Sequence, residues 1–598
     1  MVRSTAPLLA LCACLPDPLG RCQTNTDCER GPAGSFCAEN VCQGPPRGSI
    51  EALPARFFAR SETVHVRTIV DRSHGEPAVH VLLGSGAVAA AREPDGAFGA
   101  DLPLRFAPAG SEGPVPFAVE VKDDLGHLTL LPGSIQIDDA PPRVSVDLAS
   151  IPSPAAVRGS SVPLRVVVQD LTPVTLVWTA GGAQGAAMQQ PDGSFIAAID
   201  TSKAPAGAPS LDVAFTATDA VGNASAAHAS IPLTRLKFVT RHDQPIASIV
   251  VSDVIWAIAQ SEIWILHRDG TSLTKGSTDA TPVAEAATDG HHVFFARSDD
   301  KVCRMGSDGS IQLCCGPFTP LTGGPILLGS NPIVSTRHTA TTSSRLVAVL
   351  DSNGICNQMS WLTTVDFAAA MPAVGVDGIV YSGASQAIVA AKFDGSVWTG
   401  GHPTSETPSY RGQAAIQGNS VLVSTTSATI DTFASVPLNS DAPTPTTVQA
   451  AVAGTVISSP TLAEDGTVTI ATNDKRIVAL KTDGNIRWNA TLLDNATASP
   501  THGAGGLVYV GTAGGEIIAL SGDDGSAIWS QKVGAPVRGP LAPGCDGLLY
   551  AATDASVVAL VIDAAGLADS DWPRAGHDIR GSGDARRPLR SASGACLE

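Results

Sequence analysis

The residues best able to do chemistry in this chain are its cysteines. Of twelve cysteines in 598 residues, four lie close together as Cys22-x5-Cys28-x8-Cys37-x4-Cys42, in a stretch rich in Gly, Asn and Asp. Such a short stretch cannot bury a core of its own, so its spacing predicts two disulfides in an oxidising compartment. A zinc site is the alternative, but the stretch has no His and no paired C-x2-C spacing.

The later cysteines also suit disulfides. Cys545 lies in the last repeat and Cys596 near the end of the chain, and we predict that they pair, because a free thiol in an exposed, exported tail would be reactive. The remaining four would then pair among themselves: Cys303, Cys314, Cys315 and Cys356. One of the adjacent pair Cys314-Cys315 can pair with Cys303, which lies eleven or twelve residues earlier.

The first residues resemble a bacterial lipoprotein signal. Arg3 precedes the apolar stretch 6–13, and Leu11-Cys12-Ala13-Cys14 resembles a lipobox, in which cleavage precedes the final Cys and that Cys is acylated. We therefore expect a signal peptide at 1–13 and lipidation at Cys14. An ordinary cleaved signal peptide and a mis-assigned start are the alternatives. Acyl chains would hold the protein on a membrane without a spanning helix.

Composition and motifs exclude several other functions. The net charge of −18 argues against a nucleic-acid partner, which needs clustered Lys and Arg. The only adjacent histidines, His291-His292, fit a surface turn, and no H-x-x-x-H spacing or nucleophile elbow occurs in a suitable context. Gly-rich stretches such as 503–506 have no following helix to bind phosphate. We predict no catalytic, cofactor-binding or metal-binding residue.

Two stretches after the cysteine-rich module 14–46 resemble each other at an offset of about 97 residues. Pro94-Asp95-Gly96-Ala97-Phe98 recurs as Pro191-Asp192-Gly193-Ser194-Phe195, and Asp123-Asp124-Leu125-Gly126 as Asp219-Ala220-Val221-Gly222. The period matches the length of an immunoglobulin-like sandwich. We therefore expect Ig-like β-sandwiches at 47–139 and 140–236.

A shorter repeat begins near residue 240. Its units start at Pro245, Pro282, Pro325, Pro372, Ala414, Pro460, Pro500 and Pro540. Each unit alternates apolar strands with polar turns. This pattern at a repeat of roughly 40 residues is typical of propeller blades, which bury their faces only in a ring. The sequence thus predicts an all-β protein ending in a seven- to eight-bladed propeller at 237–584 and a tail at 585–598. A β-solenoid or a row of sandwiches is the alternative.

The last units resemble the PQQ-like repeat of quinoprotein propellers. That repeat reads Gly-ϕ-ϕ-Tyr-ϕ-Gly, ϕ-ϕ-Ala-ϕ, Asp-Gly and Trp, with ϕ apolar, and here it is carried by 506–511, 517–520, 524–525 and Trp529. The stretch from Trp572-Pro573 to Ser582-Gly583 resembles the segment that follows the last blade in that family. We expect it to be pinned back on the propeller and to help close the ring.

The resemblance suggests one enzymatic alternative. Quinoprotein alcohol dehydrogenases of this fold place an adjacent-cysteine disulfide against PQQ and bind calcium beside it. Here only 5% of residues are aromatic, and no acidic cluster can be assigned to calcium. A PQQ-dependent oxidoreductase, and a propeller that binds glycan or a small ligand at its central mouth, therefore remain alternatives.

The leading hypothesis is a scaffold. The propeller lipoprotein of the outer-membrane protein assembly machinery is similar in its repeat and uses it for protein contacts. By that analogy we expect a non-enzymatic outer-membrane lipoprotein, on the periplasmic or surface side. Its partner would be an envelope or secreted protein, and its only attachment to the membrane would be the lipid.

We predict that Cys14→Ser releases the protein from membranes, because the acyl chains on Cys14 are the proposed anchor. Labelling with a palmitate analogue and fractionation into membrane and soluble pools should both change. Cys12→Ser, two residues away inside the signal, should change neither. Unchanged labelling of Cys14→Ser would show that the lipid lies elsewhere.

Overall fold

The computed structural model describes residues 28, 35–38, 41–282, 285–318, 321, 323–329, 331–337, 344–352, 355–363, 371–383, 387–392, 397–401, 410–425, 429–434, 446–449 and 454–598. These residues are all-β, as predicted, with short 3-10 helices at Leu104–Phe106, Leu148–Ser150, Thr201–Lys203 and Ala504–Gly506. Among the helices described, none is long and apolar enough to span a membrane.

The chain folds as two compact units. Unit 1 comprises the described residues of Met1–Ile151, Val162–Ile199 and Asp212–Ser230. Unit 2 comprises the described residues of Pro152–Ser161, Asp200–Leu211 and Ile231–Glu598.

Unit 1 begins with a disulfide-bonded hairpin of β1 (Phe36–Ala38) and β2 (Val41–Gln43). Cys28 and Cys42 form a disulfide, with their Cα atoms 5.4 Å apart, and Cys37 is also disulfide-bonded. Cys14 and Cys22 lie outside the described residues, so acylation of Cys14 and the complete pairing of this module stay predictions.

A β-sandwich of two four-stranded sheets follows the hairpin. Its strands are β3 (Arg47–Ile50), β4 (Thr63–Arg72), β5 (Ala78–Leu83), β6 (Gly86–Ala89), β7 (Ala91–Arg92), β8 (Phe98–Pro103), β9 (Glu112–Lys122) and β10 (Leu128–Asp138). The sheet orders are β3-β4-β8-β7 and β10-β9-β5-β6. Side chains alternate between the two faces of each strand, so that Val64 and Val66 of one sheet and Val119 and Val121 of the other lie in one shared core.

A second sandwich has the same arrangement of sheets. Its strands are β11 (Arg143–Val146), β12 (Ala156–Val157), β13 (Ser161–Gln169), β14 (Thr175–Ala180), β15 (Ala183–Ala186), β16 (Met188–Gln189), β17 (Phe195–Asp200), β18 (Ser210–Thr218) and β19 (Ala224–Thr234). The orders are β11-β13-β17-β16 and β12-β19-β18-β14-β15, where β12 is an added parallel strand. The sequence offset of about 97 residues is thus a repeat in structure. Membership of the Ig-like class remains a prediction.

Unit 2 is built on a ring of four-stranded antiparallel blades. Blades 1 to 4 contain β21 (Ile246–Val251), β22 (Val254–Ala259), β23 (Glu262–His267), β24 (Ser272–Ser277), β25 (Ala287–Thr288), β26 (His292–Ala296), β27 (Val302–Gly306), β28 (Ile311–Cys315), β29 (Ile326–Leu328), β30 (Asn331–Arg337), β31 (Ser344–Ser352), β32 (Ile355–Thr363), β33 (Ala373–Val374), β34 (Val380–Gly383), β35 (Ala387–Ala391) and β36 (Val397–Gly401).

Blades 5 to 8 complete the ring. They contain β37 (Tyr410–Gln417), β38 (Ser420–Thr425), β39 (Thr429–Ala434), β40 (Thr446–Gln449), β41 (Thr461–Leu462), β42 (Val468–Thr472), β43 (Arg476–Leu480), β44 (Ile486–Thr491), β45 (Thr501–Gly503), β46 (Leu507–Gly511), β47 (Glu516–Ser521), β48 (Ala527–Lys532), β49 (Val537–Pro543), β50 (Leu548–Thr553), β51 (Ser556–Val561) and, from the start of the unit, β20 (Leu236–Arg241). Within the described residues the ring has eight blades, so of the seven or eight blades predicted, eight is the correct number.

The predicted unit starts mark the innermost strand of each blade. Pro245, Pro325, Pro372, Pro460 and Pro500 each precede such a strand by one residue. A proline there fixes φ where the chain enters an extended segment and removes an N–H that no ladder yet needs.

The Asp-Gly pairs form the turns before the outermost strands. In these turns the aspartate Oδ1 accepts the backbone N–H of the residue two positions on, and the four that show this bond are Asp269, Asp308, Asp483 and Asp524. These bonds keep the pKa of each carboxyl below its usual value.

The ring closes through its first strand. β20 pairs antiparallel with β51 and so becomes the outermost strand of blade 8. β20 thereby covers the edge that β51 would otherwise leave unpaired. β20 thus completes the sheet of blade 8, while the last residues of the chain add a second closure. Glu598 pairs with Arg268 of blade 1, and Cys596 forms a disulfide with Cys545 of blade 8.

Phe238 on β20 also joins blade 8 to blade 1. Its ring lies 6.4 Å from that of Tyr550 in β50. The neighbouring Thr240 donates a hydrogen bond from its hydroxyl to the carbonyl of Gly270, at the turn of blade 1, at 2.6 Å. Side chains of β20 therefore seal the point where the ring begins and ends.

Phe238→Ala should lower the stability of the ring by about 1–3 kcal/mol, because it removes apolar packing between the first and last blades. Thermal unfolding of the full chain measures this. Val239→Ala, on the opposite, 44% exposed face of the same strand, is the matched control and should change little. Equal melting of the two variants would mean that β20 does not close the ring.

Candidate functional site

The centre of the ring is filled by the chain itself. After blade 8, residues 572–584, here called the axial segment, run along the ends of the innermost strands. Most of the segment is buried, with Trp572 and Ser582 fully inaccessible and Arg574 2% exposed. The centre of a propeller is where a ligand or cofactor would otherwise be held, so this segment decides what the ring can bind.

Every blade makes a hydrogen bond to the axial segment from its innermost strand. In six blades a backbone N–H donates to a carbonyl of the segment at 2.7 to 2.9 Å. These pairs are Leu462 to Trp572, His502 to Pro573, Val251 to Ile579, Thr288 to Arg580, Leu327 to Ser582 and Val374 to Gly583. In blade 5 the side-chain oxygen of Gln413 accepts from Gly576 N at 2.6 Å, and in blade 8 the carbonyl of Leu541 accepts from Arg574 Nε at 3.0 Å.

The order of these bonds shows the path of the segment. Residues 572–574 contact blades 6, 7 and 8, and residues 579–583 then contact blades 1 to 4. The chain therefore goes once round the axis in the direction of the blades. Gly581 permits the tight passage, because its φ is +67° and a Cβ there would lie 2.7 Å from the carbonyl oxygen of Ala286.

Arg574 is the buried cation of the axial segment. Its guanidinium donates to the carbonyls of Leu541 and Asp578, and burial lowers its pKa to about 10. The charges of Asp578 and Glu285 oppose that effect. The carboxylate of Asp578 is itself held by Ser582, with bonds of 2.9 Å from the backbone N–H and 2.8 Å from the hydroxyl. The charge is thus matched inside the ring and is not presented to a ligand.

Two histidines lie beside this cation. His577 is 2% exposed and its ring lies 5.3 Å from that of Trp572, while His502 of blade 7 is 3% exposed. Burial lowers the pKa of both, that of His502 to about 4. Both are therefore neutral at physiological pH. His502 bonds through its backbone N–H to the carbonyl of Pro573, and His577 lies within the axial segment itself.

Beyond the axial segment the tail is fixed to blade 8. Cys545 and Cys596 form a disulfide with their Cα atoms 5.6 Å apart. Arg268 of blade 1 pairs with Glu598 and, at 3.3 Å, with Asp546. A cavity of 290 Å³ remains beside the disulfide, lined largely by the tail.

The adjacent cysteines do not bond to each other. Cys314 pairs with Cys303 inside blade 2, and Cys315 pairs with Cys356 of blade 3. The alternative weighed for Cys314-Cys315 is thus the one adopted, because antiparallel pairing of β27 with β28 sets Cys303 directly opposite Cys314. The two disulfides hold neighbouring strands and blades together.

The two faces of the ring differ. Turns that follow the first and third strand of each blade form one face, and the tail lies on it, since Glu598 pairs with Arg268 and accepts a hydrogen bond from Cys545 N–H. We call this the tail face. Turns that follow the second strand, and the connections between blades, form the opposite face, here called the open face.

Besides single charges such as Arg241, Asp243 and Lys532, the described part of the open face carries pairs of opposite charge. They are Lys475 with Asp494, Arg538 with Asp554, Lys301 with Asp299 and Lys275 with Glu262. Between them stand exposed apolar side chains, of which Leu493 is 81% and Ile457 41% accessible. A face of paired charges and single apolar residues suits contact with another protein.

The sequence indicated only part of this site. Trp572, Asp578 and Ser582 were expected to be pinned against the propeller, but their position along the axis was not predicted. Arg574 and Gln413, which complete the contact, carry no local signal in the sequence. One feature of the sequence could have indicated the buried position of the segment. Residues typical of a buried segment, Trp, Ile and Gly, continue for about a dozen positions after the last repeat.

Comparisons with known proteins agree with this ring. A family model described as outer membrane protein assembly factor BamB matches residues 389–571. The chain therefore carries a PQQ-like repeat domain of the BamB kind, as the repeat pattern predicted. A search of curated proteins gives no match.

Among solved structures, BamB from Moraxella catarrhalis is 16% identical over 55% of this chain and 97% of its own, with a TM-score of 0.44. The computationally designed Ika8 protein is 15% identical over 55% of this chain and 100% of its own, with a TM-score of 0.43.

The buried His502 predicts a pH dependence. Its pKa is about 4 in the folded protein but close to 6.5 when unfolded, so below about pH 6.5 the unfolded state binds a proton that the folded state does not. The stability of the ring should fall from about pH 6.5 towards pH 4, by about 3 kcal/mol at most from this residue, and the effect should then level off.

His502→Gln should reduce that slope, measured as unfolding temperature against pH. The exposed His228→Gln is the control and should keep the slope of the unmodified protein. If His502→Gln retains the full slope, the neutral state assigned to His502 is wrong.

Proposed function

We propose that this protein is a non-enzymatic envelope lipoprotein that uses its propeller as a scaffold to bind another envelope protein through the open face. One observation carries the proposal. The axial segment fills the centre of the ring and the tail lies on one face, so the protein's own chain occupies the positions where an internal ligand would bind.

The character of the open face supports a protein partner. Four ion pairs on it join opposite charges at 2.6 to 3.7 Å, and its single charges, such as Arg241, Asp243 and Lys532, are of both signs. No strong field of one sign would therefore attract a nucleic acid or an anionic surface. Leu493 offers an apolar contact that water surrounds in the isolated protein. Burial of such a side chain at an interface would stabilise a complex by roughly 1.5–3 kcal/mol.

The matched family also supports this role. Its description names an outer membrane protein assembly factor, a role in which contact with other proteins is expected. The match covers blades 4 to 8 from β35 onwards and ends just before the axial segment. An envelope location agrees with the lipobox resemblance at Cys14 and with the disulfides.

The quinoprotein alternative is weaker for a structural reason. PQQ on the axis would have to displace the axial segment and break its bonds to the inner strands. Cys314 and Cys315 bond to different partners and cannot form the adjacent-cysteine disulfide of those enzymes without exchange. The same filled axis disfavours a glycan at the central mouth.

A photo-crosslinking residue in place of Leu493 should capture an envelope protein in living cells, because this side chain projects from the open face. The matched probe replaces Val376, a 47% exposed residue in a first turn on the tail face, and should capture none. Leu493→Asp should weaken the complex, since a buried unpaired charge is costly, and Val376→Asp should not. Capture only from position 376 would contradict the proposal.

An activity assay separates the enzymatic alternative. Purified protein incubated with PQQ and calcium and then freed of unbound PQQ should retain no quinone absorbance, and with an added alcohol as electron donor it should reduce no acceptor dye. Dye reduction that depends on PQQ would overturn the non-enzymatic assignment, whatever the crosslinking result.

A further inference from the structure

Three aspartates of unit 1 converge where the two sandwiches meet. Asp138 is the last residue of β10 in the first sandwich, Asp170 follows β13 in the second, and Asp219 follows β18. One carboxylate oxygen from each lies within 4.8 Å of the other two. Asp138 is 1% and Asp219 7% exposed, and Asp170 is half-buried.

The hydrogen bonds leave acceptor oxygens pointing into this cluster. Asp219 Oδ1 accepts the backbone N–H of Val221, Gly222 and Asn223 at 2.7 to 2.9 Å. Asp170 Oδ1 accepts from Thr172 N at 2.8 Å. The Oδ2 atom of Asp138, by contrast, is buried and has no hydrogen-bond partner among the described residues. A buried carboxylate oxygen without a partner is costly unless a cation or a proton satisfies it.

No base within the described residues forms an ion pair with any of the three aspartates. Burial raises the pKa of the Asp138 carboxyl, and the charges of Asp170 and Asp219 raise it further. The first sandwich has the same turn without this cluster, since Asp123 accepts from Leu125 N at 3.0 Å and lies 3.3 Å from His127. The repeated turn is therefore structural, and the three-carboxylate cluster is an addition to it.

We propose that Asp138, Asp170 and Asp219 bind a hard divalent cation, calcium in preference to magnesium. Every available ligand atom is oxygen, which these cations require. A cavity of 230 Å³ adjoins the cluster and leaves room for water ligands and for the larger coordination shell of calcium. Asp138, Asp170, Glu112 and Arg143 line it, and Asp219 does not. Magnesium needs near-ideal octahedral geometry, which three carboxylates on separate turns do not prearrange.

The cation would join two sandwiches that already share one polar contact. Asn223 Nδ2 donates to the Asp138 carbonyl at 3.0 Å and to Asp219 Oδ2 at 2.8 Å. Calcium bridging Asp138 to Asp170 and Asp219 would replace the repulsion of three charges by attraction across the same junction. This inference concerns unit 1 alone and does not depend on the role proposed for the propeller.

The full-length protein, treated with chelator and exchanged into chelator-free buffer, should bind calcium in titration calorimetry at a site that depends on the cluster. Asp170→Asn and Asp138→Asn should each weaken this binding by about 10–100-fold, because each removes a charged ligand. Calcium should raise the unfolding temperature of the unmodified protein and not that of these variants. Magnesium should bind more weakly than calcium.

Asp123→Asn is the matched control, since it alters the same turn in the first sandwich without touching the cluster, and it should bind calcium normally. Circular dichroism establishes that each variant is folded. Equal calcium binding by the unmodified protein and Asp170→Asn would overturn the proposal. So would the absence of calcium binding, which would leave a proton on Asp138 as the neutralising partner, and tighter binding of magnesium would overturn the preference for calcium.

Discussion

The ring depends on satisfying the backbone groups that its inner strands turn toward the axis. Each innermost strand borders a narrow space, and an N–H group left there without an acceptor costs about 1–3 kcal/mol. The axial segment supplies carbonyls to six of these groups, and Gln413 and Leu541 bond it to the other two blades. Because one segment bonds to all eight blades, each blade is restrained by the rest of the ring as well as by its neighbours.

Blade 8 carries most of the closing contacts. It receives β20 as its outer strand, accepts a hydrogen bond from Arg574 at the Leu541 carbonyl, and holds the tail through Cys545–Cys596. That disulfide spans 51 residues, a loop length for which a bridge contributes typically about 2–4 kcal/mol. The first strand of unit 2 and the last residues of the chain are thus fixed at one blade, and separation there would expose two sheet edges.

The sequence predicted those structural features that depend only on residues near one another in the chain. Proline at the start of inner strands, Asp-Gly turns and the repeat near 97 residues each act over a few residues, so blades and sandwiches could be recognised. The path of the axial segment depends on the finished ring, and Arg574 finds its acceptors only there. The convergence of Asp138, Asp170 and Asp219 was missed for the same reason, since no spacing along the chain relates them.

A filled axis changes how such a ring can recognise a partner. The inner strands are already bonded to the axial segment. The polar atoms there that lack a partner among the described residues, such as Trp572 Nε1 and His577 Nδ1, are buried out of reach. Binding must therefore come from side chains on the blade connections, such as Leu493 and Ile457. These connections are held by strands that the axial segment and three disulfides of the ring restrain. A restrained surface loses little conformational entropy when a partner binds, so even a modest apolar contact contributes more of its energy to affinity. The interior therefore provides rigidity, and specificity is left to the loops of the open face.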